Sequence, residues 1–355
     1  MRIAIVSNKR SGLGGMEAVF RTVMQELVRN QDEVKMFLMG GSLDKNWLRD
    51  LDCVEIGDQR TDNALRRRYS FTLPLFREIS QYQPEVIIGC DPNVVCYCKW
   101  MTRILNRKIP VGSWVHNELS TIWKVQLLKY ADFHLSISKG IAEQIQAVVG
   151  SEAQGKIFVT HNPVDVEVLE VARPEVPTFL YIGRLENRQK RVRDLIDSLA
   201  KLEGEWKAII VGDGPDREEV YNLAQSYGIN DRLEWLGWKK NPWAEIPRAS
   251  ALVLTSNFEG FPLVLLEAMA RGIPCLSTDC QHGPAEIVIP EGNGWLVSVG
   301  DVEGMAGIMQ LIVDQPEHLP DPQFVKESVN KFSITNVVDN IRGIIEQQLQ
   351  MKVSS

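Results

Sequence analysis

The sequence has few cysteines and no long apolar run. No apolar stretch approaches the roughly 18 residues that a membrane-spanning helix requires. The six cysteines include no C-x-x-C pair, which argues against zinc binding and a disulfide framework. The first residues pass directly into a predicted strand and lack the length of a secretory signal. These absences favour a cytoplasmic globular protein with reduced thiols.

Basic residues outnumber acidic ones only in the first half of the chain. Residues 1–165 contain 21 Lys and Arg against 18 Asp and Glu, whereas residues 166–355 contain 18 against 28. The basic excess of the first half is concentrated in Arg60, Arg66, Arg67, Arg68, Arg103, Arg107 and Lys108. Such a surface is either an ordinary solvated face or a binding surface for a phosphate-rich acceptor or an anionic membrane. No nucleic-acid partner is predicted.

Predicted strands and helices alternate along the chain in two blocks, separated by a stretch of acids and prolines at residues 163–177. This alternation is typical of doubly wound, parallel α/β sheets. The sequence therefore predicts two Rossmann-like domains, residues 1–165 and 170–333, which face each other across a ligand-binding cleft. A helix is predicted at about 121–130. The last predicted helix, 334–350, is expected to pack back on the first domain.

Two carboxylates eight residues apart bracket a predicted turn from a strand to a helix. Glu259 follows the apolar run 251–256, and Glu267 lies more than one turn into a helix predicted at 263–271. Pro262, just before it, suits a first helical position. This turn lies at the carboxyl end of a parallel strand, where open α/β sheets bind ligands. Each carboxylate can accept paired hydrogen bonds from the hydroxyls of one sugar ring. The alternative is that the spacing arises by chance in a helical protein.

Two loops are candidate phosphate sites. Gly14 and Gly15 lie between the first strand and the first helix, where backbone amides and a helix N-terminus favour an anion. Glu17 occupies the place of the third glycine of a dinucleotide fingerprint, so a hydride-transfer enzyme is disfavoured. In the second block, Arg184 offers a rigid fork and Lys190 a point charge that together could neutralise a diphosphate. The alternative is a plain glycine turn for the first loop and ordinary solvated side chains for the second.

The order and spacing of these motifs resemble those of the retaining glycosyltransferases with the GT-B fold, glycosyltransferase family 4, over nearly the whole chain. The family's E-x7-E motif implies that Glu259 contacts the donor hexose and Glu267 the ribose, and that Arg184 and Lys190 hold the diphosphate. The resemblance also implies that His116 faces the donor sugar, which completes the catalytic candidates with Glu259, Arg184 and Lys190. The other implied donor-binding residues are Gly14, Gly15, Glu17, Trp238, Gly260, Phe261, Leu263 and Val264.

The resemblance implies a UDP-sugar donor, which is a substrate, and neither a cofactor nor a metal. Metal-dependent glycosyltransferases of the other main fold use a D-x-D motif at a strand end. The only D-x-D here, Asp50-Leu51-Asp52, lacks that context. Two positions depart from the family pattern: Lys190 comes one residue later than in the commonest spacing, and Pro163 replaces a glycine. The implied reaction proceeds with retention through an oxocarbenium-like transition state.

Segments 113–117, 183–191 and 280–286 resemble those of family members that transfer galactose to the lipopolysaccharide outer core. This resemblance implies α-1,6 transfer from UDP-galactose to a core glucose, by a peripheral protein at the cytoplasmic face of the inner membrane. UDP-glucose remains open as the donor, because the two hexoses differ at one hydroxyl. The alternatives are a UDP-glucose-dependent transferase on another cell-envelope glycolipid, a nucleotide-sugar enzyme such as a 2-epimerase, and a binding scaffold.

Overall fold

The computed structural model divides into two units, residues 1–163 with 334–355, and residues 164–333. It describes residues 1–12, 14–57, 64–105, 107–153 and 155–353, with backbone alone for 64–70, 152, 352 and 353. Arg60 and the side chains of the predicted basic cluster Arg66, Arg67 and Arg68 therefore lie outside the described residues. The first unit ends two residues before the predicted boundary.

The first unit is built on a seven-stranded parallel sheet. Its strands are β1 (Arg2–Arg10), β2 (Glu33–Ser42), β3 (Cys53–Ile56), β4 (Val86–Gly89), β5 (Val111–Val115), β6 (Phe133–Ser136) and β7 (Ile157–Val159). They are ordered β3-β2-β1-β4-β5-β6-β7, so the direction of winding reverses between β1 and β4. The central strands are buried apolar runs, as expected where helices cover both faces of a sheet. The carboxyl ends of β1 and β4 form the usual ligand-binding edge.

The connecting helices of the first unit are α1 (Gly15–Arg29), α2 (Ala64–Tyr82), α3 (Pro92–Ile104) and α4 (Lys139–Val149). The predicted helix at 121–130 is instead two 3-10 segments, Leu119–Thr121 and Val125–Tyr130. Lys124 between them has a φ of 58°, which no α-helix accommodates. Helix α3 was not predicted, because its β-branched and cysteine-rich apolar residues resemble those of a strand.

The second unit repeats this plan with six parallel strands. They are β8 (Thr178–Ile182), β9 (Lys207–Val211), β10 (Leu233–Gly237), β11 (Ala251–Leu254), β12 (Cys275–Thr278) and β13 (Gly294–Val297), in the order β10-β9-β8-β11-β12-β13. Its helices are α5 (Asn187–Lys190), α6 (Val192–Leu199), α7 (Arg217–Ser226), α8 (Leu263–Met269), α9 (Pro284–Ile287), α10 (Val302–Asp314) and α11 (Pro322–Ser328). Winding reverses between β8 and β11, which places the loops after these strands at the ligand-binding edge. Helix α10 was not predicted, since Gly304 and Gly307 lower its helix propensity.

The last helix, α12 (Ile334–Val353), belongs to the first unit. Arg342 donates from Nε to the buried carboxylate of Asp32 at 3.0 Å, and Asn340 donates to the carbonyl of Val159 at 3.3 Å. The N-terminal ammonium pairs with the other oxygen of Asp32 at 2.8 Å. One carboxylate just after α1 therefore holds both the N-terminus and helix α12 on the first unit.

Four of the six cysteines are buried, and Cys53 and Cys96 are half-buried. Each of the six cysteines is a free thiol. Burial raises the pKa of Cys53 and of Cys280 to about 12, so both thiols stay protonated and unreactive at neutral pH. Among the described residues, no helix combines the length and the apolar character needed to cross a membrane.

Candidate active site

The structure brings Glu259 together with Lys190, 69 residues earlier in the chain. Lys190 donates from Nζ to Oε1 of Glu259 at 2.6 Å. Ser256 donates its hydroxyl to the same oxygen. Glu259 is buried, with 7% of the whole residue exposed, and lies just beyond the end of β11. Two donors on Oε1 fix the orientation of the carboxylate and direct Oε2 away from this pair.

Hydrogen bonds between two loops hold Lys190 in this position. Helix α5 is capped by Glu186, whose side chain accepts from the amide of Gln189 at 3.3 Å. Thr255 donates its hydroxyl to the carbonyl of Lys190 at 2.7 Å, and the amide of Asn257 donates to the carbonyl of Gln189 at 2.6 Å. The loop after β8 is thereby joined to the loop after β11. The charge pair is a property of two neighbouring strand ends, which sequence spacing alone does not reveal.

A glycine turn after β9 shapes the loop that carries Arg184. A Cβ at Gly212 would lie 1.8 Å from the carbonyl oxygen of Gly183, and one at Gly214 would lie 2.2 Å from that of Leu185. Only glycines allow the two loops to approach so closely. Tyr181, buried beneath the loop, donates its hydroxyl to the carbonyl of Arg184 at 2.9 Å. Arg184 itself is exposed on this fixed backbone.

Glu267 lies on α8 with a partner that the sequence analysis missed. Trp243 donates its indole N–H to Oε2 of Glu267 at 2.9 Å. Arg271 stacks on the Trp243 ring at 4.4 Å and donates to the carbonyl of Glu267 at 2.7 Å. Burial raises the pKa of Glu267, and the Trp243 hydrogen bond and the Arg271 charge oppose that shift. No sequence signal singles out Trp243, because its contact depends on the fold of the turn before β11.

The remaining predicted residues of this unit have different surroundings. Phe261 is 5% exposed and packs on Phe332 at 5.5 Å, so its side chain is part of the core. Leu263 and Val264 form the partly exposed first turn of α8, after Gly260. Segment 280–286 packs against the turn that precedes α8. A Cβ at Gly283 would lie 2.6 Å from Pro262 Cδ. Trp238, beyond β10, is 53% exposed. Pro262 caps α8 and is not its first residue.

In the first unit, the side chain of Glu17 accepts hydrogen bonds from the loop that precedes it. Its Oε1 accepts from the amide of Gly12 and the hydroxyl of Ser11, both at 3.0 Å, and the residue is 5% exposed. A Cβ at Gly14 would lie 2.8 Å from the other carboxylate oxygen. Gly14 caps α1 without a side-chain hydrogen bond, and Gly15 is the first helical residue. The carboxylate therefore fixes the loop, and the backbone around the two glycines is the part that can meet a ligand.

His116 follows β5 and is 8% exposed. Its ring lies 5.0 Å from that of Phe20, edge on, and 4.5 Å from that of Trp114. Neither of its nitrogens has a hydrogen-bond partner among the described residues, and the same holds for the indole nitrogen of Trp114. Burial, with a smaller effect of Arg10, lowers the pKa of His116 to about 3. The imidazole is therefore neutral and offers one donor and one acceptor to an uncharged polar group.

The D-x-D segment takes part in surface ion pairs. Asp50 lies 3.6 Å from Arg21, and Asp52 lies 3.3 Å from Lys35. Their side chains are 83% and 58% exposed. Both carboxylates are thus engaged with cations of the first unit.

Comparison with known sequences identifies the family. The profile of "Glycosyltransferase Family 4" matches residues 13–168, and that of "Glycosyl transferases group 1" matches residues 170–323. The lipopolysaccharide 1,6-galactosyltransferase of Escherichia coli is 34% identical over 97% of this chain and 98% of its own length. The chain belongs to glycosyltransferase family 4. The lipopolysaccharide 1,6-galactosyltransferase of Salmonella typhimurium is 35% identical to this glycosyltransferase, over 88% of this chain and 90% of its own length.

Solved structures agree with this assignment. The apo form of a lipopolysaccharide outer core galactosyltransferase matches this family 4 glycosyltransferase with a TM-score of 0.88 and 32% identity, covering 98% of this chain and all of the other. An Anabaena protein in complex with UDP-glucose has a TM-score of 0.80 at 17% identity, covering 97% and 99% of the two chains, and supports the fold alone. The predicted GT-B fold and the predicted transferase class are confirmed.

Proposed function

We propose that this glycosyltransferase moves galactose from UDP-galactose to a glucose of the lipopolysaccharide core, forming an α-1,6 linkage with retention at the anomeric carbon. Full-length similarity to two lipopolysaccharide 1,6-galactosyltransferases carries the proposal. The donor is a substrate, and we propose that neither a cofactor nor a metal is needed.

The residues of the second unit are assigned to the donor. Glu267 accepts the ribose hydroxyls through Oε1, while Trp243 holds Oε2. Glu259 accepts a hexose hydroxyl through Oε2, because Lys190 and Ser256 occupy Oε1. Lys190 has three N–H donors and uses one on Glu259, so two remain for the diphosphate.

Bond cleavage and formation occur on one face of the sugar. The bond from the anomeric carbon to the β-phosphate oxygen breaks, and the charge on the leaving diphosphate is met by Arg184 and Lys190. The acceptor hydroxyl forms the new bond to the anomeric carbon, and its proton passes to an oxygen of the departing phosphate. In the first unit, the neutral ring of His116 hydrogen-bonds a sugar hydroxyl and adds no positive charge near the oxocarbenium-like centre.

The acceptor would be a glycolipid, so we propose that the enzyme acts as a peripheral protein at the cytoplasmic face of the inner membrane. The basic excess of residues 1–165 supports contact with an anionic surface.

The decisive experiment is a donor comparison with product analysis. The purified enzyme is incubated with core-truncated lipopolysaccharide and either UDP-galactose or UDP-glucose, and the product linkage and anomeric configuration are determined by NMR. We expect an α-1,6-galactosyl product and a clear preference for UDP-galactose. A glucosyl product would replace galactose by glucose in the proposal. Conversion of the donor to a C2 epimer without transfer would overturn it in favour of an epimerase.

A further inference from the structure

A polar cluster lies at the ligand-binding edge of the first sheet, where β1 continues past the end of β4. Pairing of the two strands stops at Val6 and Gly89, and β1 runs on to Arg10. Asp91 lies two residues beyond the end of β4 and immediately before α3. Open α/β sheets bind ligands at this kind of edge. We call the following four side chains the edge cluster: Asn8, Arg10, Asp91 and Asn93.

One oxygen of the Asp91 carboxylate is heavily engaged, and the other is not. Oδ2 accepts from the backbone amide of Asn8 at 2.9 Å, from Nη2 of Arg10 at 2.9 Å and from the hydroxyl of Ser7 at 3.3 Å. Among the described residues, none donates a hydrogen bond to Oδ1. Asp91 precedes α3 as its cap residue, but its side chain accepts from none of the helix amides. The carboxylate is therefore held on β1, with Oδ1 unused by the described protein groups.

Arg10 adds unused donors beside this acceptor. Its Nε donates to Oγ of Ser7 at 2.6 Å, and its Nη2 donates to Asp91. No hydrogen bond within the described part of the chain involves Nη1. The guanidinium carbon lies 5.6 Å from the centroid of the Phe20 ring, and the His116 ring lies 5.0 Å from the same ring. The ion pair therefore shares an aromatic neighbour with the histidine that is proposed to bind a sugar hydroxyl.

We infer that Asp91 binds the acceptor glucose, by accepting a hydrogen bond from one of its hydroxyls through Oδ1, and that Arg10 positions the carboxylate for this contact. Sugar hydroxyls both donate and accept, and a carboxylate beside a guanidinium offers both functions at fixed positions. The side-chain amides of Asn8 and Asn93 donate to each other at 3.0 and 3.2 Å, and they add planar polar groups at the same edge. The inference rests on the proposed function in that it takes the acceptor to be a glucose of the core.

The charges of the edge cluster favour a sugar hydroxyl over a phosphate. Arg10 and Asp91 lie 2.9 Å apart, and their side chains are 11% and 22% exposed, so the pair is partly shielded from solvent and its charges balance. A phosphate that approached Nη1 would also lie near the carboxylate, which would repel it. The diphosphate of the donor is assigned to Arg184 and Lys190 in the second unit. An uncharged hydroxyl meets no such repulsion in the first unit.

The test is the binding of core oligosaccharide to the UDP-saturated enzyme, measured by calorimetry, with the variant Asp91→Asn. The amide keeps one oxygen for Asn8 and Arg10 and presents its NH2 group at the position of Oδ1, so a donor replaces the acceptor. We expect the affinity for the oligosaccharide to fall about 10- to 100-fold, the loss expected for a hydrogen bond to a charged group. The affinities for UDP and for UDP-galactose should be unchanged.

Acceptor analogues that each lack one glucose hydroxyl identify the contact. The analogue without the contacted hydroxyl should bind the unchanged enzyme about 10- to 100-fold more weakly than the intact acceptor does. The same analogue should lose little more in the Asp91→Asn variant, because the interaction is already absent. A purely structural role of Asp91 would instead weaken the binding of every analogue by the same factor.

Asp132 provides a matched control in the same unit. Its carboxylate accepts from Nζ of Lys99 at 2.5 Å and from the amide of Val111 at 2.8 Å, so it also joins a cation and a backbone amide. It directly precedes β6 and lies at the amino end of the strands, at the opposite edge of the sheet. Asp132→Asn should lower the unfolding temperature and leave the affinity for the oligosaccharide unchanged.

Four results would overturn the inference. They are an unchanged oligosaccharide affinity of a folded Asp91→Asn variant, an equal loss in Asp132→Asn, full affinity of the unchanged enzyme for every deoxy analogue, and a loss of UDP-galactose affinity with UDP affinity intact. The last result would assign Asp91 to the donor hexose. In all four cases the proposed galactosyl transfer keeps its own NMR test. If the unchanged enzyme neither binds the core oligosaccharide nor transfers to it, the proposed function fails and this inference fails with it.

Discussion

Replacing Glu259 with glutamine isolates the charge of the carboxylate from its shape. The amide keeps one oxygen that accepts from Ser256, but it removes the negative charge that faces Lys190 at 2.6 Å. The variant therefore tests two consequences at once. One is the loss of the charge pair, and the other is the loss of the charged acceptor proposed for a hexose hydroxyl.

The expected magnitudes follow from the burial of the pair. The side chains of Lys190 and Glu259 are 19% and 9% exposed, so the pair lies between a surface ion pair and a fully buried one. Loss of the charge should lower the free energy of unfolding by about 1–3 kcal/mol. In a unit of this size that corresponds to a fall in Tm of roughly 2–10 °C. Loss of a charged hydrogen bond to the hexose should lower kcat/KM by roughly 10- to 100-fold.

The assay combines thermal unfolding, UDP binding by calorimetry, and donor turnover. UDP affinity of the Glu259→Gln variant should equal or exceed that of the unchanged enzyme, because Lys190 is released to face the diphosphate. Glu245→Gln is the matched control, since Glu245 pairs with Lys239 at 3.6 Å on an exposed surface and should change neither stability nor turnover. If Glu259→Gln weakens UDP binding as much as it slows transfer, then Glu259 acts on the nucleotide and the assignment is wrong.

Three further predictions concern the nucleotide, the metal and the pH dependence. Glu267→Ala should weaken UDP binding by about 1.5–3 kcal/mol in calorimetry, and Trp243→Phe should weaken it less; unchanged affinity in a folded Glu267 variant would remove it from the site. Transfer should survive EDTA, because Arg184 meets the diphosphate charge with Lys190; loss of activity with rescue by manganese would contradict this. Burial lowers the pKa of His116 to about 3 and that of His134 to about 4, so unfolding takes up protons below about pH 6.5 and stability should fall as the pH is lowered. Urea unfolding should show a flatter pH dependence for His134→Asn, and an unchanged slope would show that its pKa is not depressed.

A motif could be predicted where its residues are close together in the sequence, because such residues lie on one turn or one helix. The turn at Glu259 and the helix that carries Glu267 are such cases, and α8 ends only two residues before the predicted end. Short apolar runs were likewise sufficient to predict most strands. The pairing of Lys190 with Glu259 could not be predicted, since it requires β8 and β11 to be neighbours in the sheet. The same limit applies to Trp243, which reaches Glu267 only through the fold of its turn.

Glu17 shows a second kind of limit. The sequence analysis assigned it to the donor because of its place in the glycine loop, and that role stays a prediction. In the structure its carboxylate is satisfied by the amide of Gly12 and the hydroxyl of Ser11. A sequence pattern identifies a loop whose residues matter to binding. It does not distinguish a residue that touches the ligand from one that shapes the loop.

The residues proposed for the donor differ in charge between the two units, and the proposed reaction explains the difference. The second unit provides Arg184, Lys190 and Glu259, which are charged groups suited to a diphosphate and to strong hydrogen bonds with hydroxyls. The first unit provides His116, and burial of this residue keeps its ring neutral. An imidazolium near the anomeric carbon would oppose the positive charge that develops in an oxocarbenium-like transition state. A neutral ring can hold a hydroxyl without that penalty. The depressed pKa of His116 keeps the ring in the neutral form, which is the form that the proposed reaction requires.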